Sequence, residues 1–174
     1  REIRLKHDDG NTYSLASQPI SQLDQLTVST DEFENIEVNG SKTLSVKGDT
    51  YMLDADISWS DAKNIGLRLR ESADGKRHID AGICAEDGYS YVNRGFTKQP
   101  DKSRTYIESK APFDANKKKV HVTIIVDKTT VEMFVDGRVV HSNQAFPGLH
   151  DQGITLFAAN GTAVFEHLKI KHFQ

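Results

Sequence analysis

The chain has 174 residues, 37% hydrophobic and 27% charged, with a formal net charge of −3, a balance that suits a soluble domain burying roughly 70% of its unfolded surface. It lacks the clustered Lys and Arg of a nucleic-acid binder, and no apolar run approaches the roughly 20 residues of a membrane span, so neither partner is expected. Cys84 stands alone, which rules out a disulfide framework and a thiolate metal cluster, and a start at Arg1 reads as an excised piece whose missing signal peptide carries no information.

Taken in chain order, residues 11–18, 34–40, 42–59, 64–72, 77–85, 89–95, 119–127, 130–142, 153–160 and 162–173 are rich in β-branched or aromatic residues and mostly alternate, which predicts strands. Residues 17–27 alone suggest a short helix, with Pro19 near its start. Turn chemistry separates the strands: Asp8-Asp9-Gly10, Asn39-Gly40, Gly48-Asp49, Asp74-Gly75, Asp87-Gly88, Asp136-Gly137 and Asn160-Gly161. Many short strands at close intervals predict an all-β fold, an antiparallel β-sandwich of the lectin-like jelly-roll kind. A closed barrel fits less well, because periodic glycine corners are missing. With no linker or repeat, residues 1–174 are expected to form one domain.

The stretch 129–146 poses a specific question. Val131, Met133, Val135, Val139 and Val140 flank Asp136-Gly137, a two-residue hairpin signal, yet Glu132 lies inside the apolar run. A two-residue turn would pair Val135 with Arg138, Phe134 with Val139, Met133 with Val140 and Glu132 with His141. Val131, Met133, Val135 and Val140 would then face the core. Glu132, Phe134, Val139 and His141 would form an outer face more apolar than solvation alone requires. Glu132 is therefore either a solvated strand residue or part of a polar site on the sheet.

Catalytic signatures are missing: there is no G-x-S-x-G, P-loop, H-E-x-x-H or Cys-His zinc spacing. No metal ligands are assigned. "DDGNTYS" begins like a calcium loop but lacks the later acids, so a structural calcium ion is a weak expectation and no other cofactor is expected.

Several segments, in order, resemble the C-terminal β-sandwich of glycoside hydrolase family 32, the levanases, inulinases and invertases. They are Arg1-Glu2-Ile3-Arg4-Leu5, Asp9-Gly10, Gln18-Pro19-Ile20, Leu23-Asp24, residues 48–72, "YVNRG" at 91–95 and residues 127–148. The sequence is most similar to carbohydrate-binding module family 66, a free-standing relative that binds terminal fructose. It departs from the pattern at Val135-Asp136-Gly137, one residue shorter than V-N-D-G, and at Asn93, where the family has Asp before Arg94. The family's W-M-N-D-P-N-G, R-D-P and E-C catalytic motifs are absent, so no catalytic residue is assigned and the chain is not expected to be an enzyme. The resemblance implies a secreted, extracellular module, covalently linked to a catalytic domain, that binds fructans such as levan and inulin through terminal fructosyl units. The alternative it implies is a sandwich that supports a catalytic propeller and has no sugar site.

For a sugar site, carboxylates bridging adjacent hydroxyls and Arg donating in bidentate fashion are the expected parts. Alternation turns Ile65, Leu67 and Leu69 inward and Arg68 and Arg70 outward; likewise Ile79, Ala81 and Ile83 inward and His78 and Asp80 outward. Tyr91 and Asn93 share a face, and Tyr91 and Trp59 are stacking candidates. The expected carbohydrate-binding residues are Glu132, Arg94, Asp80, Tyr91, Arg70 and Trp59, with Arg94 included on the family pattern.

Overall fold

The structure is a computed structural model that describes residues 1–8, 10–98 and 107–174. Its strands are β1 (Glu2–Asp8), β2 (Thr12–Gln18), β3 (Thr27–Phe33), β4 (Ile36–Thr43), β5 (Thr50–Trp59), β6 (Asn64–Glu71), β7 (Ile79–Cys84) and β8 (Tyr89–Asn93). They continue as β9 (Glu108–Pro112), β10 (Lys119–Asp127), β11 (Thr130–Val135), β12 (Val139–Gln144) and β13 (Gly153–Phe173). β1 and β2 make a separate hairpin, and the rest follow the order β12-β11-β10-β5-β13-β6-β7-β8-β9, with β3 and β4 also on β13. Every pairing is antiparallel, and the long β13 bends so that the path folds into two facing layers, as an antiparallel sandwich requires.

The bend corrects two turn assignments. Asn39-Gly40 and Asn160-Gly161 do not reverse the chain; they lie inside β4 and β13 and meet where the ladder slips between Ala158↔Gly40 and Thr162↔Asn39. Asn160 has φ 56°, Gly40 φ 89° and Gly161 φ 153°, and a Cβ on Gly161 would stand 2.4 Å from the Ala62 nitrogen. Residues 153–160 and 162–173 are thus one strand. Its first part pairs with β6 and its second with β5. A second irregularity, His167 at φ 49°, lies between Glu166 and Lys169 where the β5 register shifts, so that Phe165 and Leu168 both reach the core.

Between the layers lie Leu53 and Ile57 of β5, Ile124 and Met133 of the second layer, and Ile65, Leu67, Ile83 and Leu156 of the first, all buried. Each such side chain contributes about 1.5–3 kcal/mol relative to exposure. The sequence pattern missed β1, β3 and β9. The helix expected over 17–27 is a 3-10 helix at Ser21–Leu26, with no buried residue. The calcium-loop reading and the turn at residues 8–10 depend in part on Asp9, which lies outside the described residues.

The β11–β12 hairpin differs from expectation by one residue. Asp136 and Gly137 both have positive φ (51° and 59°), and the Arg138 N–H donates to the Val135 carbonyl at 3.0 Å, the geometry of a type I′ turn. Ladder pairing nevertheless begins at Val135↔Val139. Arg138 is drawn out of the ladder: its carbonyl accepts the Ser17 N–H at 3.2 Å, and its guanidinium reaches Asp8 at 2.6 Å and Ser14 Oγ at 3.3 Å. Glu132 therefore opposes Ser142, and His141 opposes Met133 on the core side.

That shift makes His141 a bolt between the layers. It is buried, with Nε2 at 2.9 Å from Ser90 Oγ on β8 and Nδ1 at 3.1 Å from Ser109 Oγ on β9. Ser109 Oγ also accepts from Asn143 Nδ2 at 3.0 Å, and Ser90 Oγ donates to the Ala111 carbonyl at 3.4 Å. Each ring nitrogen thus has a serine hydroxyl as its partner, able to donate or accept as the tautomer requires. Burial lowers its pKa from the ordinary 6.5.

As pH falls, the unfolded chain takes up the proton first. The contribution of His141 is thus complete above about pH 6.5 and declines below it, toward the lowered folded pKa. His141→Asn should lower the melting temperature most at about pH 8, and the gap to the parent should close toward about pH 5. Thermal unfolding across that range checks this; a gap independent of pH contradicts it.

Candidate binding cleft

Strand alternation places Ile125 of β10, Glu132 and Phe134 of β11, and Ser142 and Gln144 of β12 on the outer face of the second layer. Phe134 is nevertheless fully buried. The segment from Pro19 through the 3-10 helix explains this: Pro19 and Ile20 line, together with Phe134, a cavity on each side of that ring. The segment crosses the sheet as a strap, and it is fixed at one point by Lys171, whose Nζ is 2.6 Å from Asp24.

One of these cavities, of about 500 Å³, is the cleft at Glu132. Its apolar surfaces come from Ile20 and Leu23 on the strap and Ile125 on the sheet, all of them at least partly accessible. Its polar lining includes Arg1, Glu132, Ser142 and Gln144, while the Asn143 side chain turns the other way, to Ser109. Glu132 Oε1 accepts the Ser142 hydroxyl at 2.7 Å and lies 3.7 Å from the Arg1 guanidinium, with 31% of the Glu132 side chain exposed. Arg94 braces the rim, donating from Nη1 to the Gln144 carbonyl at 3.0 Å. A carboxylate, a guanidinium, an amide and a hydroxyl beside aliphatic walls can grip a ligand that carries vicinal hydroxyls on an apolar frame.

The cavity on the other side of Phe134 is also about 500 Å³ but is walled by charges that pair with one another. Thr123 donates to Asp54 at 2.6 Å, and His121 lies between Asp56 at 2.9 Å and Asp54 at 3.8 Å.

The remaining expected site residues do not join the cleft. Asp80 lies on the outer face of the first layer, within 3.5 Å of His78 Nε2 and 3.9 Å of Arg68 Nε. Burial raises its pKa, against the pull of His78 and Arg68. Tyr91 shares that face, but it is buried and donates to Asn64 Oδ1 at 2.9 Å; burial pushes its pKa up. Gly66 and Gly82 face each other in the same row as Tyr91 and Phe157. The missing Cβ atoms let β6 and β7 approach closely, since a Cβ on either glycine would meet a carbonyl oxygen at 2.3 Å.

Arg70 and Trp59 are corrections. Alternation turns Arg70 outward, but its φ of 51° kinks the end of β6 and sends the guanidinium into the interior. There it donates to the carbonyls of Asp151 at 2.6 Å, Lys128, and Gly148 at 3.4 Å, tying the loops at that end of the layers. Trp59 packs in the core, with its ring 6.3 Å from that of Phe113. Neither side chain is open to a ligand.

Arg1, Ile20, Leu23 and Ser142 went unrecognised as cleft residues. The available signal was the apolar character of the face carrying Glu132 and Phe134, which asked for a covering segment. Among the described residues, no group of three or more His, Cys, Asp or Glu is placed to hold a metal ion.

Residues 22–172 match the family model described as "Glycosyl hydrolases family 32 C terminal". The chain is 66% identical over 174 residues to the levanbiose-producing levanase of Bacillus subtilis (strain 168), covering 99% of this chain and 34% of that protein. It is 73% identical over 114 residues to the levanbiose-producing levanase of Geobacillus stearothermophilus, covering 66% of this chain and 29% of that protein. Among solved structures it superposes on exo-inulinase from Aspergillus awamori with a TM-score of 0.81 at 21% identity, over 100% of this chain and 35% of that one. The chain thus spans about a third of the length of these relatives. The chain belongs to glycoside hydrolase family 32, as its C-terminal β-sandwich.

Proposed function

We propose that this sandwich is the fructan-binding accessory portion of a secreted levanase, and that it holds a terminal fructosyl unit in the Glu132 cleft. The observation that carries the proposal is the cleft itself, where a partly exposed carboxylate and Arg1 stand beside the aliphatic surfaces of Ile20, Leu23 and Ile125. Adjacent sugar hydroxyls donate to Glu132 and accept from Arg1, while the C–H face of the ring packs on the strap. The relatives named as levanases support fructan, with levan before inulin, as the polymer.

Titration calorimetry with levan, inulin and sucrose tests the reading. Glu132→Ala removes a charged acceptor whose bonds are worth about 1.5–3 kcal/mol, so levan affinity should fall on the order of ten- to a hundredfold. The melting temperature should stay within a few degrees of the parent. Arg70→Met should do the reverse, because it orphans buried carbonyls while leaving the cleft intact. Parent-like levan binding by Glu132→Ala removes the carboxylate from the site; no binding by the parent removes the site altogether. The purified chain should release no reducing sugar from levan or sucrose above a denatured control.

A further inference from the structure

The β11–β12 hairpin has two registers open to it and occupies one. Asp136-Gly137 closes a two-residue turn, for which Val135 opposite Arg138 is the regular start of the ladder. The chain makes that turn bond, from the Arg138 N–H to the Val135 carbonyl at 3.0 Å, yet the ladder starts one residue later at Val135↔Val139. Arg138 and Val139 therefore stand together opposite Val135, as in a β-bulge.

β12 itself has little preference between the registers. It reads Val139-Val140-His141-Ser142-Asn143-Gln144, two adjacent valines and then four polar residues, with no alternation. Val139 and Val140 are both half-buried. A one-residue slip turns every side chain to the other face, and a strand without alternation opposes that weakly. β12 lies at the edge of its layer and pairs with β11. The extra residue can pass along the strand from Arg138 to Gln144, because Ala145, whose N–H donates to the Thr129 carbonyl at 2.8 Å, keeps its place. In the slipped register Met133 opposes Val140, and Glu132 opposes His141.

Two points hold the occupied register. Arg138 is kept out of the ladder by Asp8 at 2.6 Å, by Ser14 Oγ at 3.3 Å and by the Ser17 N–H. His141 is kept inside by Ser90 and Ser109. Among the described residues, no charged group faces the ring from the strands around it. Glu108 and Lys110, which flank Ser109, pair with each other at 2.9 Å on the outer side of β9, and Tyr89 and Tyr91 flank Ser90 on the outer side of β8. Glu132 is on the outer face of β11. A protonated imidazole thus has no counter-charge inside and a carboxylate outside.

We propose that Arg138 is a latch on the register of β12, and that its release, or protonation of His141, slips the strand by one residue and dismantles the Glu132 cleft. The imidazole then replaces the Ser142 hydroxyl beside Glu132 and pairs with that carboxylate. Asp8 is not the group that titrates, since hydrogen bonds from Ser14 and Arg138 hold its carboxyl below the ordinary 3.8. The occupied register holds the neutral ring and the slipped one the protonated ring. The slipped fraction therefore rises as pH falls below about 6.5, by up to about tenfold per pH unit. The consequence for sugar rests on the function proposed for the cleft; the slip itself does not.

Cross-strand backbone NOEs in the isotopically labelled chain report the register. At about pH 8 Met133 should contact His141; toward about pH 5 a second set, Met133 with Val140 and Glu132 with His141, should grow in. Arg138→Ala should show the second set already at about pH 8, and Arg138→Lys, which keeps the charge beside Asp8, should lie between Arg138→Ala and the parent. His141→Asn should keep the first set throughout, because the residue takes up no proton. Levan affinity should fall in proportion to the second set. One unchanging set in the parent down to the pH of unfolding, and the same set in Arg138→Lys, overturns the latch even if Arg138→Ala fails to fold. Registers that exchange while levan affinity stays constant uphold the latch and remove sugar from the cleft.

Discussion

One strand serves both layers, and the molecule depends on the bend that allows it. β13 pairs with β6 along its first part and with β5 along its second, and β4 follows it around the corner. Ordinary strand geometry cannot make that turn without breaking the ladder, so the chain places left-handed or permissive residues there: Gly40 opposite the slip, and Asn160-Gly161 within it. The crowding of Gly161 against Ala62 leaves no room for a side chain. Without this corner the two halves would form one flat sheet with an exposed apolar face.

At the opposite edge the layers are joined by a polar chain rather than by a strand. His141, Ser90, Ser109 and Asn143 form a sequence of hydrogen bonds in which each described group has a partner. This bolt exists because Arg138 leaves the ladder to hold the β1–β2 hairpin. The same one-residue displacement sends the imidazole inward and brings the Ser142 hydroxyl beside Glu132 on the outer surface. Hairpin anchoring, layer closure and cleft chemistry thus share one cause.

The all-β class and most of the strands were legible from alternation and turn chemistry, because apolar periodicity reports directly on which face is buried. Asn-Gly pairs were misleading for a physical reason. The positive φ that suits a hairpin turn also suits a bulge, and only the partner strand decides between them. Asp136-Gly137 is a turn, but its register was set by Arg138 bonding to residues more than a hundred positions away in sequence. Arg70 defeated alternation because its own left-handed backbone at the strand end redirects its side chain. Glu132 was legible as an acid on an apolar outer face. Its neighbours on the strap were not, since no periodicity within β11 encodes what crosses over it.

The central claim is that the Glu132 cleft, rather than the charged face around Asp80, is where sugar meets this sandwich. The most direct measurement is a backbone amide chemical-shift map of the isotopically labelled chain, titrated with a short levan-derived oligosaccharide. The account predicts perturbations concentrated at Ile20, Leu23, Glu132, Ser142 and Gln144. Perturbations centred on Arg68, Asp80 and Tyr91, or none at saturating sugar, would contradict it.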